Sequence, residues 1–323
     1  MDIIAGIDIG GTKCAISFAE DREDIEILER VAFPMPDSDP QSALNHFAAV
    51  ITEKLSQHGD WKLSATGVAC GGPLDSKQGL IISPPNLPKW RNIECVRILS
   101  GLLNVPVSLQ NDADACALAE WKWGAGRGCS SMVFLTFGTG MGAGIILNNS
   151  LYSGSTGIAG EVGHIRLAAD GPVGHGKAGS FEGFCSGGGI ARLGRMEAEK
   201  AIAKGSPPLF CQSPEELPLI TAKSIADAMK NGDALAGEIY TTVGSYLGRG
   251  LSVIIDILNP ERIILGGIYM RDQNLLEAPM REQIEKEALA SSASNCLILP
   301  AGLGERIGDF ASICVGFGAG NRP

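Results

Sequence analysis

The chain has 323 residues, 45% of them apolar, and a formal net charge of −10. That is enough for two units with cores of their own. It is also too acidic for nucleic acid as main partner, since phosphate backbones are met by clustered Lys and Arg. Nine cysteines stand without a C-x-x-C pair, a pattern of reduced thiols filling cores rather than of a disulfide framework. The start Met1-Asp2-Ile3 has no basic region, and no apolar run approaches membrane-spanning length. A cytoplasmic protein with no signal peptide and no membrane partner is expected.

In chain order, two β-rich runs flank Gly10-Gly11-Thr12-Lys13, and residues 25–33 add a third strand. The loop Pro34-Met35-Pro36-Asp37 closes this antiparallel start. Residues 42–57 carry Leu44, Phe47, Val50, Ile51 and Leu55 at helical spacing. A buried strand over 65–70 runs into Gly71-Gly72-Pro73-Leu74-Asp75. Another strand, 105–109, ends in Gln110-Asn111-Asp112, and a helix follows over 113–120. After a second glycine segment comes a loop-rich insert, 152–189, then helices over 191–204, 225–230 and 234–257. Residues 207–218 read as irregular. The strand 262–265 ends at Gly266-Gly267, and a helix (275–290), a strand (297–299) and a helix (307–317) close the chain. Strands alternating with helices imply α/β layers, with ligands gathering at glycine-rich strand ends. No linker composition appears, so the two lobes are joined by structured elements, as in a hinged clamp.

The most informative feature is a repeated device. The run from Ile3 through Asp8 to Lys13, followed by the apolar residues 14–18, is one copy. The run Val133-Phe134-Leu135-Thr136-Phe137-Gly138-Thr139-Gly140-Met141-Gly142, followed by Ile145-Ile146-Leu147, is the other. Glycine without a Cβ lets backbone N–H groups approach an anion. Two such turns in one chain suggest related lobes gripping a polyphosphate. A carboxylate at a strand end before a helix, Asp112, suits a general base for phosphoryl transfer, although Asp is also a common helix N-cap. Asp8, an acid flanked by apolar residues on a strand, is costly there unless it faces a partner.

These segments, with Pro85-Asn86-Leu87-Pro88, Gly160-Glu161-Val162-Gly163-His164 and Asn259-Pro260-Glu261…Leu265-Gly266-Gly267, run in one order over nearly the whole chain. The chain resembles the sugar kinases of the ROK family (repressor, open reading frame, kinase). The resemblance implies an actin-like ATPase (ribonuclease H-like) duplication, with two α/β lobes about a hinged central cleft. The lobes expected are 1–115 plus a C-terminal helix over 306–323, the smaller, and 116–305, the larger, with the sugar-binding insert and a dimerisation surface. It implies ATP-dependent phosphorylation of a hexose or hexosamine, at the 6-hydroxyl, with Asp112 as general base. Asn111, Glu161, His164 and Glu182 form the implied sugar clamp, with Asn86 and the backbone at Gly72. Gly10, Gly11, Thr12 and Lys13 face Gly138, Thr139 and Gly140 across the phosphates, Asp8 holds Mg²⁺ directly or through water, and Gly266-Gly267 lies against adenosine. A homodimer is the family habit.

One departure stands out. Where the family carries three zinc-binding cysteines, this chain has Val173, His175 and Ser180. A closed site needs four N or S donors, and His164, His175 and Cys185 give three at most. No structural zinc is expected. The family also includes sugar-responsive repressors with a helix-turn-helix ahead of the first glycine turn. Only five residues precede Gly6 here, which leaves no room for one in this sequence, so a kinase is expected over a non-catalytic sugar-binding or regulatory protein. Which sugar it takes stays open, with a lean to glucose from residues 85–88, and so does ATP against a polyphosphate donor.

Overall fold

Residues buried on both faces make the opening strand a continuous apolar run rather than an alternating one. In β1 (Asp2–Ile9), Ile3, Ala5 and Ile7 join one core cluster while Ile4 joins another. The computed structural model describes residues 1–36 and 39–319. Asp37 of the expected loop and residues 320–323 of the expected C-terminal helix lie outside the described residues. The chain continues through β2 (Lys13–Glu20), β3 (Ile27–Pro34), α1 (Pro40–Gln57), β4 (Lys62–Cys70), β5 (Leu74–Asp75) and β6 (Leu80–Ile81). Then come α2 (Cys95–Leu103), β7 (Val107–Asn111), α3 (Asp112–Trp123), β8 (Met132–Leu135), β9 (Ala143–Leu147) and β10 (Ser150–Leu151). The second half holds β11 (Val173–Gly174), β12 (Lys177–Ala178), α4 (Phe181–Cys185), α5 (Gly187–Ala203), α6 (Ala222–Lys230) and α7 (Ala234–Leu258). It ends with β13 (Arg262–Leu265), α8 (Ile268–Glu287), α9 (Ala290–Ala293), β14 (Leu297–Pro300) and α10 (Ile307–Ala319).

The chain forms two compact units. The first takes the described residues of Met1–Ser130, Gly144–Ala159 and those from Ala301 on; the second takes Ser131–Ala143 and Gly160–Pro300. The boundary expected after residue 115 therefore moves to Ser130, and the first unit holds more residues than the second, not fewer. The reason lies in α3, which packs on α10. Its fully buried Glu120 accepts N–H bonds from Ala125 (2.7 Å), Gly302 (3.0 Å) and Leu303 (2.9 Å). An ionised carboxylate buried this way needs such donors.

In the first unit the sheet order is β3-β2-β1-β4-β7, with β1, β2 and β3 antiparallel and β4 and β7 parallel to β1. One face takes α1, whose Leu44, Phe47 and Ile51 sit in the core with Ile3 and Ile7. Asp39 caps α1 by accepting the Ser42 N–H, and Pro40 fills its first turn. The other face takes α10 at backbone distance. A Cβ on Gly6 would come within 2.4 Å of Ser312 Oγ, and one on Gly67 within 2.2 Å of the Gly316 nitrogen. In the second unit β8, β13 and β14 run parallel, as β1, β4 and β7 do in the first. Helix α7 packs on α8, and α4 and α5 pack on α7. All nine cysteines are free and buried. No helix among the described residues is long and apolar enough to cross a membrane.

Candidate functional site

In the first unit the glycine turn is tight. The Gly10 N–H donates to the Lys13 carbonyl (3.1 Å), and the Thr12 carbonyl accepts from Met35 (2.9 Å). Gly11, Thr12 and Lys13 are exposed. A Cβ on Gly11 would meet Asn86 at 2.7 Å, so the turn lies directly against that residue. A second contact set centres on the end of β7. Asn111 Oδ1 accepts the N–H groups of Ala113 (2.9 Å) and Asp114 (3.4 Å) and so caps α3. A Cβ on Gly72 would lie 3.3 Å from Asn111 Nδ2, and one on Gly71 3.9 Å from Asp112 Oδ2. The capping role open to Asp112 in the sequence thus belongs to Asn111, whose amide nitrogen is left as a donor. The Asp112 residue is exposed, and one of its oxygens accepts the Ala113 N–H (2.8 Å). Desolvation by the protein around it still raises its carboxyl above the ordinary carboxylate range.

Asp8, next to last in β1, stands beside these groups. Burial first, then the charges of Asp112 and Asp309, raise its carboxyl to about 6, with Arg30 opposing. Asp309 itself accepts from Ser17 Oγ and Arg30 Nε, both at 2.8 Å. A carboxylate held at this cost, with a second carboxylate influencing it, is a donor set that suits a hard, oxygen-seeking cation such as Mg²⁺. The unit therefore brings together Asp8, the Gly10–Lys13 turn, Asn86, Gly72, Asn111 and Asp112 within one strand-end region.

In the second unit the glycine turn is built differently. Thr136 N–H donates to the Gly142 carbonyl and Gly142 N–H to Thr136 Oγ1, both at 2.9 Å, which pins the loop's base. Residues far away in sequence hold its tip. Glu182 Oε2 accepts the Met141 N–H (3.1 Å), and the Gly138 carbonyl accepts the Gly187 N–H (2.7 Å). Gly163 sits where a Cβ would meet the Met141 carbonyl at 2.4 Å and Glu182 Cβ at 3.2 Å. The short 3₁₀ turn Val162–His164, opened by the exposed Glu161, is thereby pressed beside Glu182 and the glycine turn.

Next to that turn opens a pocket of about 710 Å³, lined in part by Gly138, Thr139, Gly187, Arg195, Lys230 and Arg271. Ser186 caps α5 through the Gly189 N–H (2.9 Å), so the glycine-rich start of a 17-residue helix faces this space. Asp272 is buried at a break in α8, paired with Lys230 (2.9 Å) and with the Tyr240 hydroxyl (3.2 Å). The pocket was not read from the sequence. The run Ser186-Gly187-Gly188-Gly189 was the available signal, a cap and glycines opening a helix. Gly266 and Gly267 do not line the pocket. Gly267 has φ +59° and packs on the Phe137 carbonyl, where a Cβ would come within 2.1 Å. It delivers the Ile268 N–H to that carbonyl (2.6 Å), and Ile268 lines the pocket instead.

Comparison with known proteins places the chain in a family and a fold. The family model of the ROK family matches residues 4–311. A glucokinase of Halalkalibacterium halodurans is 30% identical over 94% of this chain and 91% of its own length. The structure of a ROK family glucokinase from Streptomyces griseus, in complex with glucose and AMPPNP, is similar with a TM-score of 0.78 at 26% identity, covering 97% of this chain and 99% of that one. A ROK family transcriptional regulator, a homologue of an E. coli protein, has the same fold, with a TM-score of 0.85 at 23% identity over 99% of this chain and 79% of its own.

Proposed function

The chain belongs to the ROK family, with its actin-like ATPase fold, and from this we propose that it is a sugar kinase that moves the terminal phosphoryl group of ATP to a hexose or hexosamine hydroxyl. The observation that carries the reading is local: Asn111 caps α3, so the raised carboxyl of Asp112 spends only one oxygen on the Ala113 N–H and keeps Oδ2, beside Gly71, for an acceptor. In the proposed mechanism Asp112 orients the acceptor hydroxyl, the 6-hydroxyl in our reading, and takes its proton as the oxygen attacks. Glu161, His164, Glu182, Asn86, the Asn111 amide and the backbone at Gly72 pair with sugar hydroxyls. Each pairing matters, because an unmet buried polar group costs about 1–3 kcal/mol. The turn Gly10–Lys13 and the turn Gly138–Gly140 offer N–H groups and the Lys13 ammonium to the phosphates. The nucleoside takes the pocket beside Gly187 and Lys230, where Gly267 sets the position of the lining residue Ile268. Asp8 would hold Mg²⁺, which when bound offsets charge on the phosphate oxygens.

Glucose is the first substrate to try, as two similar kinases are glucokinases. The test is ADP release at fixed ATP over a panel of glucose, mannose, fructose, allose, N-acetylglucosamine and N-acetylmannosamine, with Mg²⁺ present or withheld. Magnesium-dependent turnover of at least one sugar is expected. Sugar binding with no turnover of any would favour a regulatory protein, the reading that similarity to a ROK transcriptional regulator keeps open. A soluble cytoplasmic homodimer is part of the proposal, checked by gel filtration with light scattering.

A further inference from the structure

The segment 160–186 must hold Glu182 and His164 still if they are to grip a sugar, and the structure shows what each residue at a family zinc position does instead. Val173 is an apolar strand residue, 45% exposed. His175 and Gly176, with φ +45° and +76°, form the two-residue turn between β11 and β12, the conformation that such hairpins require. Ser180 is fully buried and caps α4, its Oγ accepting the Gly183 N–H at 3.1 Å. Cys185, also buried, lies with its Sγ 3.5 Å from the Val243 carbonyl. Only the imidazoles of His164 and His175 remain as donors, edge to face with centroids 4.9 Å apart. Two donors do not close a tetrahedral zinc site. Among the described residues no group of three or more His, Cys, Asp or Glu could hold a metal.

We infer that this segment is a metal-free clasp, in which aromatic anchors on α4 and a lysine on β12 set the positions of Glu182 and His164. The anchors bracket Glu182 in sequence. Phe181 is fully buried against Gly250 of α7, where a Cβ would come within 2.3 Å of the ring. Phe184 stacks on Tyr246 of α7 with centroids 3.5 Å apart and planes 5° apart, and Arg249 lies over the far ring at 5.2 Å. Helix α4 has only five residues. It could not hold its place alone, so this packing on the 25-residue α7 fixes it. On the other side Lys177 Nζ donates to the His164 carbonyl (2.7 Å), and Arg166 donates to the Ala178 carbonyl (2.7 Å). The Phe181 N–H donates to the Ile165 carbonyl (2.8 Å), which ties the 3₁₀ turn to the start of α4. Tyr246, Arg249 and Lys177 are therefore positioning residues for the sugar contacts.

The inference rests on the sugar-site reading for its catalytic consequence, but its metal arm does not. Purified full-length protein is assayed for bound zinc, then treated with a strong chelator, restored to Mg²⁺ and melted. No stoichiometric zinc and an unchanged Tm are expected; bound zinc whose removal lowers Tm overturns the clasp even if no sugar is ever turned over. For the positioning arm, Tyr246→Ala is expected to raise the sugar KM about tenfold, the worth of one lost aromatic stack, with the ATP KM unchanged. Tyr246→Phe, which keeps the stack, restores it. Should Tyr246→Ala not fold, Lys177→Met carries the test, with the same rise in sugar KM and not in ATP KM. Equal shifts in both constants, or none, overturn the positioning role.

Discussion

The two glycine turns look alike in sequence and are supported in unlike ways. The first, at Gly10–Lys13, is closed by the strands that flank it, β1 and β2, and is bordered by carboxylates, Asp8 above all. The second, at Gly138–Met141, depends on Glu182, Gly187 and Ile268, residues more than forty positions away in sequence, and opens on a pocket with four basic side chains, Arg195, Lys223, Lys230 and Arg271. The lesson is that one kind of glycine turn can be made rigid by its own neighbours or by tertiary contacts. The charges differ in step: the carboxylates of Asp8 and Asp112 stand by the first, and the basic side chains of the pocket stand by the second.

Four variants test that contrast. The largest effect is expected from Asp112→Asn, a loss of about 10²–10⁴-fold in kcat with sugar binding kept, read by steady-state kinetics and sugar titration. Near-normal turnover would remove the acid side of the comparison. Next is Asp8→Asn. Its folded carboxyl stands near 6 against an ordinary 3.8. Between those pH values the folded chain keeps a proton that the unfolded chain has released, so stability falls as pH rises through the window, and above 6 the penalty is complete. The variant is expected to be more stable than the parent above pH 6, by up to about 3 kcal/mol, with the gain fading below about pH 4. Denaturant melts without Mg²⁺ or nucleotide measure it; a pH-independent difference would sink the argument. Gly11→Ala comes third, with an expected stability loss of about 1–3 kcal/mol, because its Cβ meets the backbone and side chain of Asn86. Gly138→Ala is the smallest for stability, within about 0.5 kcal/mol, since a Cβ there meets nothing within 4 Å. Its nucleotide KM is expected to rise all the same, as the new methyl enters the pocket lined by that turn. An unchanged KM would mean that the second turn does not face the phosphates.

Much of the first unit was legible because its signals are local. The three opening strands, the body of α1 and the strand-end Asn111-Asp112 all announce themselves within a few residues, whereas the Asp39 cap and Pro40 start α1 two residues before the expected 42. Helix α2 was missed, because only Cys95 and Leu99 of its nine residues are fully buried and no side chain caps it. Helix α8 starts at Ile268, not near 275, since the break at Asp272 and Pro279 interrupt its pattern. The insert 152–189 read as loop, yet it holds a hairpin and α4, whose two- and five-residue elements are too short to show periodicity. The pocket could not be read at all. It draws on α5, α6 and α8, and the ion pair Lys230–Asp272 joins positions 42 apart. Sequence likewise left Asp112 between capping and catalysis; the structure gives the cap to Asn111, with Asp112 sharing the Ala113 N–H, and the catalytic role stays part of the proposal.

Helix α10 brings a consequence for how the molecule is made. Its Ser312 and Gly316 fill the cleared faces of Gly6 and Gly67 on β1 and β4, strands that leave the ribosome long before it does. Until residues 307–319 emerge, that face of the first sheet lacks its main cover, with only α3 and its Trp123 packed there. A chaperone holding the nascent chain would meet the N-terminal strands as a largely open surface until then.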